Sequence, residues 1–549
     1  MKEYLMQLKE LMLILKIYLD KHGYEVVATL ERVAIGELEL CETLSSDEKE
    51  HAREVFGWVT KVGLLNILAK IQPVLNEPGK FSGELALDKI FGESESAIKL
   101  PFAANDIDKR TLARLVVLLV SYIFYDEFHY PQPETGVYDI ANNPFEKLKW
   151  LYRYWFNQLE VAEKGSGLEA LFASQDLSKL SEVPHNFTSV SISCAGDLLA
   201  VDVLTPKNTE HLFDDIVDFY SSADIVSANL ETTVDKSSPL GRTQALGAPA
   251  KMNTSEAMFQ KFRSEAKINF FSTATNHAMD WGEEGILATL SVLNDSGAVY
   301  SGTAPSQSSQ DLAIRFIQAN GLCIALLAFT MDLNGYAAPP GKSYLANEVR
   351  FNDVNPAPDY SMIERQVAAA KAKGADWIIA YCHWGWEFEM YPHTNIREAA
   401  QKIIACGVDT ILGNHAHVSQ PSELIARPGK QDALVVYSFG DFVSYHPESR
   451  NSKLSYIIKF KIAKVTATES VTNGRVLCGL EALPIYIVNQ DLGGGSFNCR
   501  IVKFYDVLEN PDDYGLTELE KSQLPHLRDR VWNEILSPLS SLPQRPVDH

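Results

Sequence analysis

Cysteine is sparse and unpatterned in this chain. The seven residues Cys41, Cys194, Cys323, Cys382, Cys406, Cys478 and Cys499 are scattered, odd in number and free of any CxxC spacing. That gives no basis for a disulfide framework or a zinc ribbon. Several sit inside apolar runs, where a reduced thiol behaves as a small hydrophobe, so a reducing compartment is the expectation. Long hydrophobic runs are lacking too. LMLILKIYL is interrupted by Lys16, and LVVLLVSYIFY at 115–125 is also short of the ~20 residues a spanning helix needs. Charged residues break up the first apolar stretch, so a signal-peptide layout is absent. The expectation is a cytoplasmic protein without a membrane anchor. Positive charge is in deficit, with 49 Lys and Arg against 71 Asp and Glu and a net charge of −22. This argues against nucleic acid as a partner, although bound cations would invert the field locally. Walker-type phosphate loops, Rossmann fingerprints and Gly-x-Ser-x-Gly elbows are missing, which removes support for nucleotide-dependent ligase and serine-hydrolase chemistry. The GGG at 493–495 lacks the context of a phosphate loop.

The 549 residues exceed one ordinary core, so two or three domains are expected. Residues 1–160 read as an all-α N-terminal domain. LSSDEKEHAREVFGWVTKVGLLNILAKI opens with Ser45 and Glu48 in capping-box spacing, and NPFEKLKWLYRYWFNQLE offers Asn143 as N-cap with Pro144 in the first turn. The aromatic run from Trp150 to Phe156 is read as the packing face of an amphipathic helix rather than a ligand platform. Residues 161–187 read as a linker. From Val190 the texture becomes strand, loop and helix in alternation, giving a domain over 188–488 and a C-terminal extension over 489–549. Within it, QDLAIRFIQANGLCIALLAFT predicts a hairpin about Asn320-Gly321, and helices are predicted to end at Gly374 and Gly407. LSYIIKFKIAKVTAT and RVLCGLEALPIYIV are two strand-like runs suited to pairing.

The chemistry gathers at strand ends. SISCAGDLL carries Asp197, DIVSANLE carries Glu231, WIIAYCHWG carries His383, and TILGNHAH carries His415 and His417; FFSTATNH adds Asn276 and His277. Open α/β sheets build sites where strands end, and five such junctions bearing carboxylate, amide and imidazole form the pattern of a dinuclear metal centre. In His415-Ala416-His417, extended backbone points both imidazoles to one side, and imidazole suits zinc, manganese, iron or nickel. Asn276 can ligate without adding charge, leaving His277 to act as acid or hydrogen-bond donor. Asp280 either orients His277 or caps the segment EEGILATL. His393 and His446 lie near these loops without a pattern that makes them ligands.

Six blocks, in order, resemble the poly-gamma-glutamate synthesis protein CapA family, a branch of the calcineurin-like metallophosphoesterases: GD (196–197), NLE (229–231), TNHAMDWG (275–282), HWGWE (383–387), GNHAHVSQP (413–421) and YSFGDF (437–442). The resemblance implies an α/β fold, a metallophosphoesterase-like four-layer sandwich of two sheets flanked by helices. It implies one or two divalent ions (Mn, Zn or Fe). Asp197, Glu231 and His417 would hold one; Glu231 as bridge, Asn276, His383 and His415 would hold the other. His277 would be the acid, and Glu387 would orient His383. The implied activity is hydrolysis of a phosphate ester by a metal-activated hydroxide, on a phosphorylated or anionic substrate. A γ-glutamyl amide hydrolase and a non-catalytic accessory role in anionic polymer synthesis are the alternatives, the latter with residues 1–160 as a protein-binding surface. The chain departs from the pattern at four places. Leu199 stands where the superfamily's first motif usually has His, Glu231 replaces Asp, Asn414 stands where His is frequent, and Asp441 replaces Asn.

Overall fold

The computed structural model describes residues 117, 121 and 124–542, apart from 186, 245–247, 313–314 and 466–473. Most of the expected N-terminal helical domain, including the Ser45 capping box and Cys41, lies outside the described residues. The described chain divides into two compact units. The smaller takes the residues up to 130, 139–157 and 244–249; the larger takes 131–138, 158–243 and the residues from 250 onward.

In the smaller unit, Asn143 caps the helix Pro144–Trp155 by accepting from the backbone N–H groups of Phe145 and Glu146. The helix buries Leu148 and Tyr152, and the Tyr152 and Phe145 rings each meet the Phe128 ring at 5.6 Å. The aromatic run is thus occupied in packing.

The larger unit is mixed α/β, with two principal sheets. The first contains β1 (Thr188–Leu198), β2 (Ile225–Leu230), β5 (Phe270–Ser272), β6 (Val299–Ser301), β13 (Asp441–Val443), β14 (Leu454–Lys464), β15 (Arg475–Gly493) and β16 (Ser496–Lys503). Its order is β16-β15-β14-β1-β2-β5-β6, with β13 also paired to β1. The second contains β7 (Arg315–Ala319), β8 (Leu322–Thr330), β9 (Trp377–His383), β10 (Thr410–Asn414), β11 (Ser422–Ile425) and β12 (Ala433–Val436), in the order β11-β12-β10-β9-β8-β7. A small hairpin, β3 (Gly241–Thr243) with β4 (Lys251–Asn253), stands apart. The expected boundary at 488 falls inside β15, and β16 adds an edge strand to the same sheet. Residues 161–187 include a helix, Leu168–Ala173, that buries Leu168 and Phe172.

β8 and β9 are buried along their whole length, as strands covered on both faces must be. The sheets meet through Tyr381, whose hydroxyl donates to Ser227 Oγ at 2.8 Å and whose ring lies 4.9 Å from that of Phe270. Amphipathic helices flank them. Glu256–Ser264 is capped by Ser255 and buries Met258, Phe259 and Phe262. Thr394–Cys406 buries Ile396, Ala399, Ala400, Ile403 and Ile404, the spacing of one helical face. It ends at Gly407 in the left-handed region. The hairpin about Asn320-Gly321 forms, with both residues at positive φ, as a tight two-residue turn requires.

Two glycines let the sheets converge at one edge. A Cβ on Gly196 would lie 1.9 Å from Gly440 O, and one on Gly413 2.0 Å from Tyr437 O. The segment 437–441 therefore fits between β1 and β10. Phe439 N donates to Gly413 O, and Asp197 N donates to Gly440 O, each at 3.2 Å. Among the described residues, no helix is long and apolar enough to cross a membrane.

Candidate metal centre

The edge so formed carries the donors. β1, β2, β5 and β6 run parallel, as do β8, β9, β10 and β12. Asp197 lies at the end of β1, and Glu231 directly follows β2. His383 ends β9 opposite Asn414 in β10, and His415 and His417 follow. Both histidines have positive φ, 94° and 53°, a strained backbone of the kind that clusters at functional sites.

Asp197, Glu231, Asn276, His383, His415 and His417 are all buried and brought together. Glu231 Oε1 lies 3.3 Å from His383 Nε2 and 3.6 Å from His417 Nε2. His383 Nε2 is 3.2 Å from His415 Nδ1 and 2.9 Å from Asn276 Oδ1. Asp197 Oδ2 accepts from His415 N at 3.0 Å and lies 4.0 Å from His417 Nδ1. Two groups here have donor atoms mutually within 4.8 Å, namely Glu231, His383 and His415, and Asp197, Glu231 and His417. Glu231 belongs to both.

The other expected residues lie as follows. His277 Nδ1 is 2.7 Å from Asp280 Oδ2, with both side chains buried. Asp280 also accepts from Met252 N at 2.6 Å. The helix Gly282–Asp295 has Trp281 at its N-cap and no side-chain cap bond. Glu387 is brought to His415, 4.0 Å from its Nε2, whereas the His383 imidazole is fixed by Asn276 and by Asn229. Leu199 is buried with Val201 and Met252 in a small apolar cluster. His393 is held between Glu389 (2.6 Å) and Glu163 (3.4 Å) and stacks on Trp386, in a structural role.

Three further residues lie near the centre: Asn229, which the sequence did not single out, Asp441, which it marked only as a departure from the family pattern, and His446, which it placed near these loops without making it a ligand. Asn229 Nδ2 donates to Asp197 Oδ1 at 2.7 Å, and the same amide lies 3.0 Å from His383 Nδ1. Asp441, level with Asp197 across β1 and β13, lies 2.8 Å from His417 Nδ1 and 3.6 Å from His446 Nε2. An amide inside a strand and a histidine on an aperiodic loop leave little mark in sequence.

The electrostatics are those of a site that could hold a cation. Burial, reinforced by Asp441, pushes the Asp197 carboxyl up to about 7. Burial likewise raises Glu231 well above the carboxylate range; His417 opposes this, and the charges of Asp197, Asp441 and Glu387 add to it. Burial holds His383 well below its usual value and His415 down at about 3, so both are neutral and their lone pairs can ligate. Burial would lower His417 too, but Glu231 and Asp441 outweigh it and raise it. Both Glu231 carboxylate oxygens, Asn414 Oδ1 and His415 Nε2 are buried without a hydrogen-bond partner. Leaving such groups unsatisfied costs several kcal/mol. Oxygen and imidazole donors arranged this way fit divalent Mn, Fe or Zn.

A two-sheet α/β unit with a buried cluster of carboxylate, amide and imidazole donors at its strand ends is the class defined to this point. Residues 191–446 match the model of the family described as bacterial capsule synthesis protein PGA_cap. Over that span the chain is similar to the CapA family. It is similar to the PGA biosynthesis protein CapA of Bacillus subtilis (strain 168), at 28% identity over 264 residues, 46% of this chain and 63% of that protein. It is also similar to the capsule biosynthesis protein CapA of Bacillus anthracis, at 24% over 265 residues, 46% of this chain and 59% of that protein. The matches thus span about three-fifths of these curated relatives. A crystal structure of a hypothetical protein from Thermus thermophilus aligns over 54% of this chain and 99% of its own, at 14% identity and a TM-score of 0.31, a likeness too slight to carry an argument.

Proposed function

We propose that this chain is a metal-dependent hydrolase of phosphate esters. The supporting observation is Glu231, whose two buried oxygens lack hydrogen-bond partners between the imidazoles of His383 and His417. Asp197, Glu231 and His417 would hold one divalent ion; Glu231, Asn276, His383 and His415 would hold the other. The ions would supply charge stabilisation for a transferring phosphoryl group and lower the pKa of bound water. The chain's own residues do the rest. Asp280 fixes His277 through Nδ1, which leaves Nε2 to carry a proton to the leaving oxygen. Asn229 holds Asp197 and His383 in register.

The test is turnover of chromogenic phosphomono- and diesters after loading with manganese, zinc, cobalt or iron. Wild type should hydrolyse one class, and Asn276→Ala, His277→Ala and His383→Ala should lose that activity. Metal-loaded protein that turns over neither class, with variants matching wild type, overturns the reading.

A second reading is favoured by the names of the two relatives, which place them in PGA and capsule biosynthesis. Here the same centre serves an accessory role in making an anionic polymer, with residues 1–160 as the partner-binding surface. Metal-dependent polymer binding without turnover would select it. Turnover of γ-glutamyl peptides rather than phosphoesters would instead point to amide hydrolysis.

A further inference from the structure

One flank of the donor cluster is short of a ligand along β1. Two residues beyond Asp197 stands Leu199, whose side chain is taken up by the apolar cluster with Val201 and Met252. The backbone shows what lies beside it. β13 runs parallel to β1, with Asp197 level with Asp441, and Leu199 N donates to Val443 O at 2.8 Å. The loop leaving β13 returns His446 to the same edge. Its Nε2 lies 3.6 Å from Asp441 Oδ2, and its ring centre 4.9 Å from that of His417. Asp441 Oδ1 is 2.8 Å from His417 Nδ1, and Ser444 Oγ donates to Asp441 Oδ2 at 2.7 Å. His417, Asp441 and His446 are all buried, and their donor atoms lie mutually within 4.8 Å. His417 also belongs to the group with Asp197 and Glu231. The two groups therefore adjoin through a shared imidazole.

We propose that Asp441 and His446 are metal ligands of this chain, completing with His417, Asp197 and Glu231 the cation site that residue 199 cannot complete. The inference rests on the metal-centre reading above and extends it. A bland reading pairs Asp441 with His417 by a hydrogen bond alone and leaves His446 as a core residue. Three features weigh against it. His446 meets the Phe388 ring edge-on but turns Nε2 toward the Asp441 carboxylate, 3.6 Å away. Asp441 adds a third buried carboxylate beside Asp197 and Glu231. Among the described residues, the ionic partners that these three carboxylates find within 4.0 Å are imidazoles. Two imidazoles with carboxylate oxygens form a donor set for Mn, Fe or Zn.

The experiment uses the full chain, stripped with chelator and titrated with Mn2+ and, separately, Co2+. Bound ions per chain are counted by elemental analysis, and the visible Co2+ absorption reports coordination. Wild type should bind two ions. His446→Gln and Asp441→Asn should each weaken one by roughly tenfold or more and change the cobalt spectrum, while His383→Ala weakens the other. Adding Leu199→His to His446→Gln should restore part of the lost binding. Unfolding midpoints of the chelated variants, matching wild type, show that they are folded. If His446→Gln and Asp441→Asn keep wild-type stoichiometry, affinity and spectrum, the inference is overturned and the rest of the centre stands. If wild type itself binds neither metal, the metal-centre reading falls and takes this inference with it.

Discussion

Asn229 and His383 are joined across the two sheets: the amide at the end of β2 lies 3.0 Å from the imidazole Nδ1 at the end of β9. The same amide donates to Asp197, so one side chain sets the position of two proposed ligands. Asn229→Ala should leave the fold intact and weaken metal binding by roughly 10–100-fold. Calorimetric titration of chelated protein measures this, and unchanged affinity would show that the amide is not an orienting group.

His277 and Asp280 should separate in their effects. Replacing His277 with Ala should lower kcat by about 10²–10⁴-fold on substrates with poor leaving groups, and much less where the leaving oxygen needs no proton. Asp280→Asn should lower kcat less than His277→Ala and alike on both classes of leaving group, because Asp280 Oδ2 accepts from Met252 N and positions His277 rather than carrying the proton. Comparing kcat for the two leaving groups decides it. Equal losses on both would remove His277 from the proton-transfer role.

Gly413 has no room for a side chain. An added Cβ would meet the backbone at Tyr437 O, 2.0 Å away, where the bridging segment crosses β10. Gly413→Ala should destabilise the protein by about 1–3 kcal/mol, read from the urea midpoint, and should weaken metal binding because His415 follows two residues later. Wild-type stability would mean that the segment shifts freely.

Acid stability should depend on Glu160. Burial alone would raise this carboxyl, but His526, Arg450 and Asn451 hold it down at about 2, from 4.5. A depressed folded-state value stabilises above the unfolded value, near 4.5, and that contribution is lost as pH falls toward about 2. At ~1.4 kcal/mol per pH unit the full contribution is roughly 3 kcal/mol. Glu160→Gln should therefore be less stable at pH 7 and should flatten the stability curve between about pH 4.5 and 2. Urea unfolding across that range checks it, and parallel curves would contradict it.

Strand ends explain what could be read from the sequence. Asp197, Glu231, His383, His415 and His417 each close or follow a buried β-branched run, so local pattern alone brings them to one edge once the strands run parallel. Asn276 and His277 follow the short strand β5 and are placed by the same logic. Asp441 and His446 are different, because their position depends on β13 pairing with β1 across more than two hundred residues of chain, which no local period records. Asn229 reads as one more buried polar residue until the register sets it beside Asp197. Likewise Glu387, four residues after His383 and expected beside it, is carried to His415 by a turn in which Gly385 adopts a positive φ of 88°.

Anomalous diffraction from crystals grown with Mn2+ or Zn2+, recorded at that metal's absorption edge, tests the central claim most directly. The account predicts anomalous peaks against Glu231, one bordered by His383 and His415 and one by Asp197 and His417. Crystals with peaks only elsewhere, and none within ligand distance of Glu231, would contradict it.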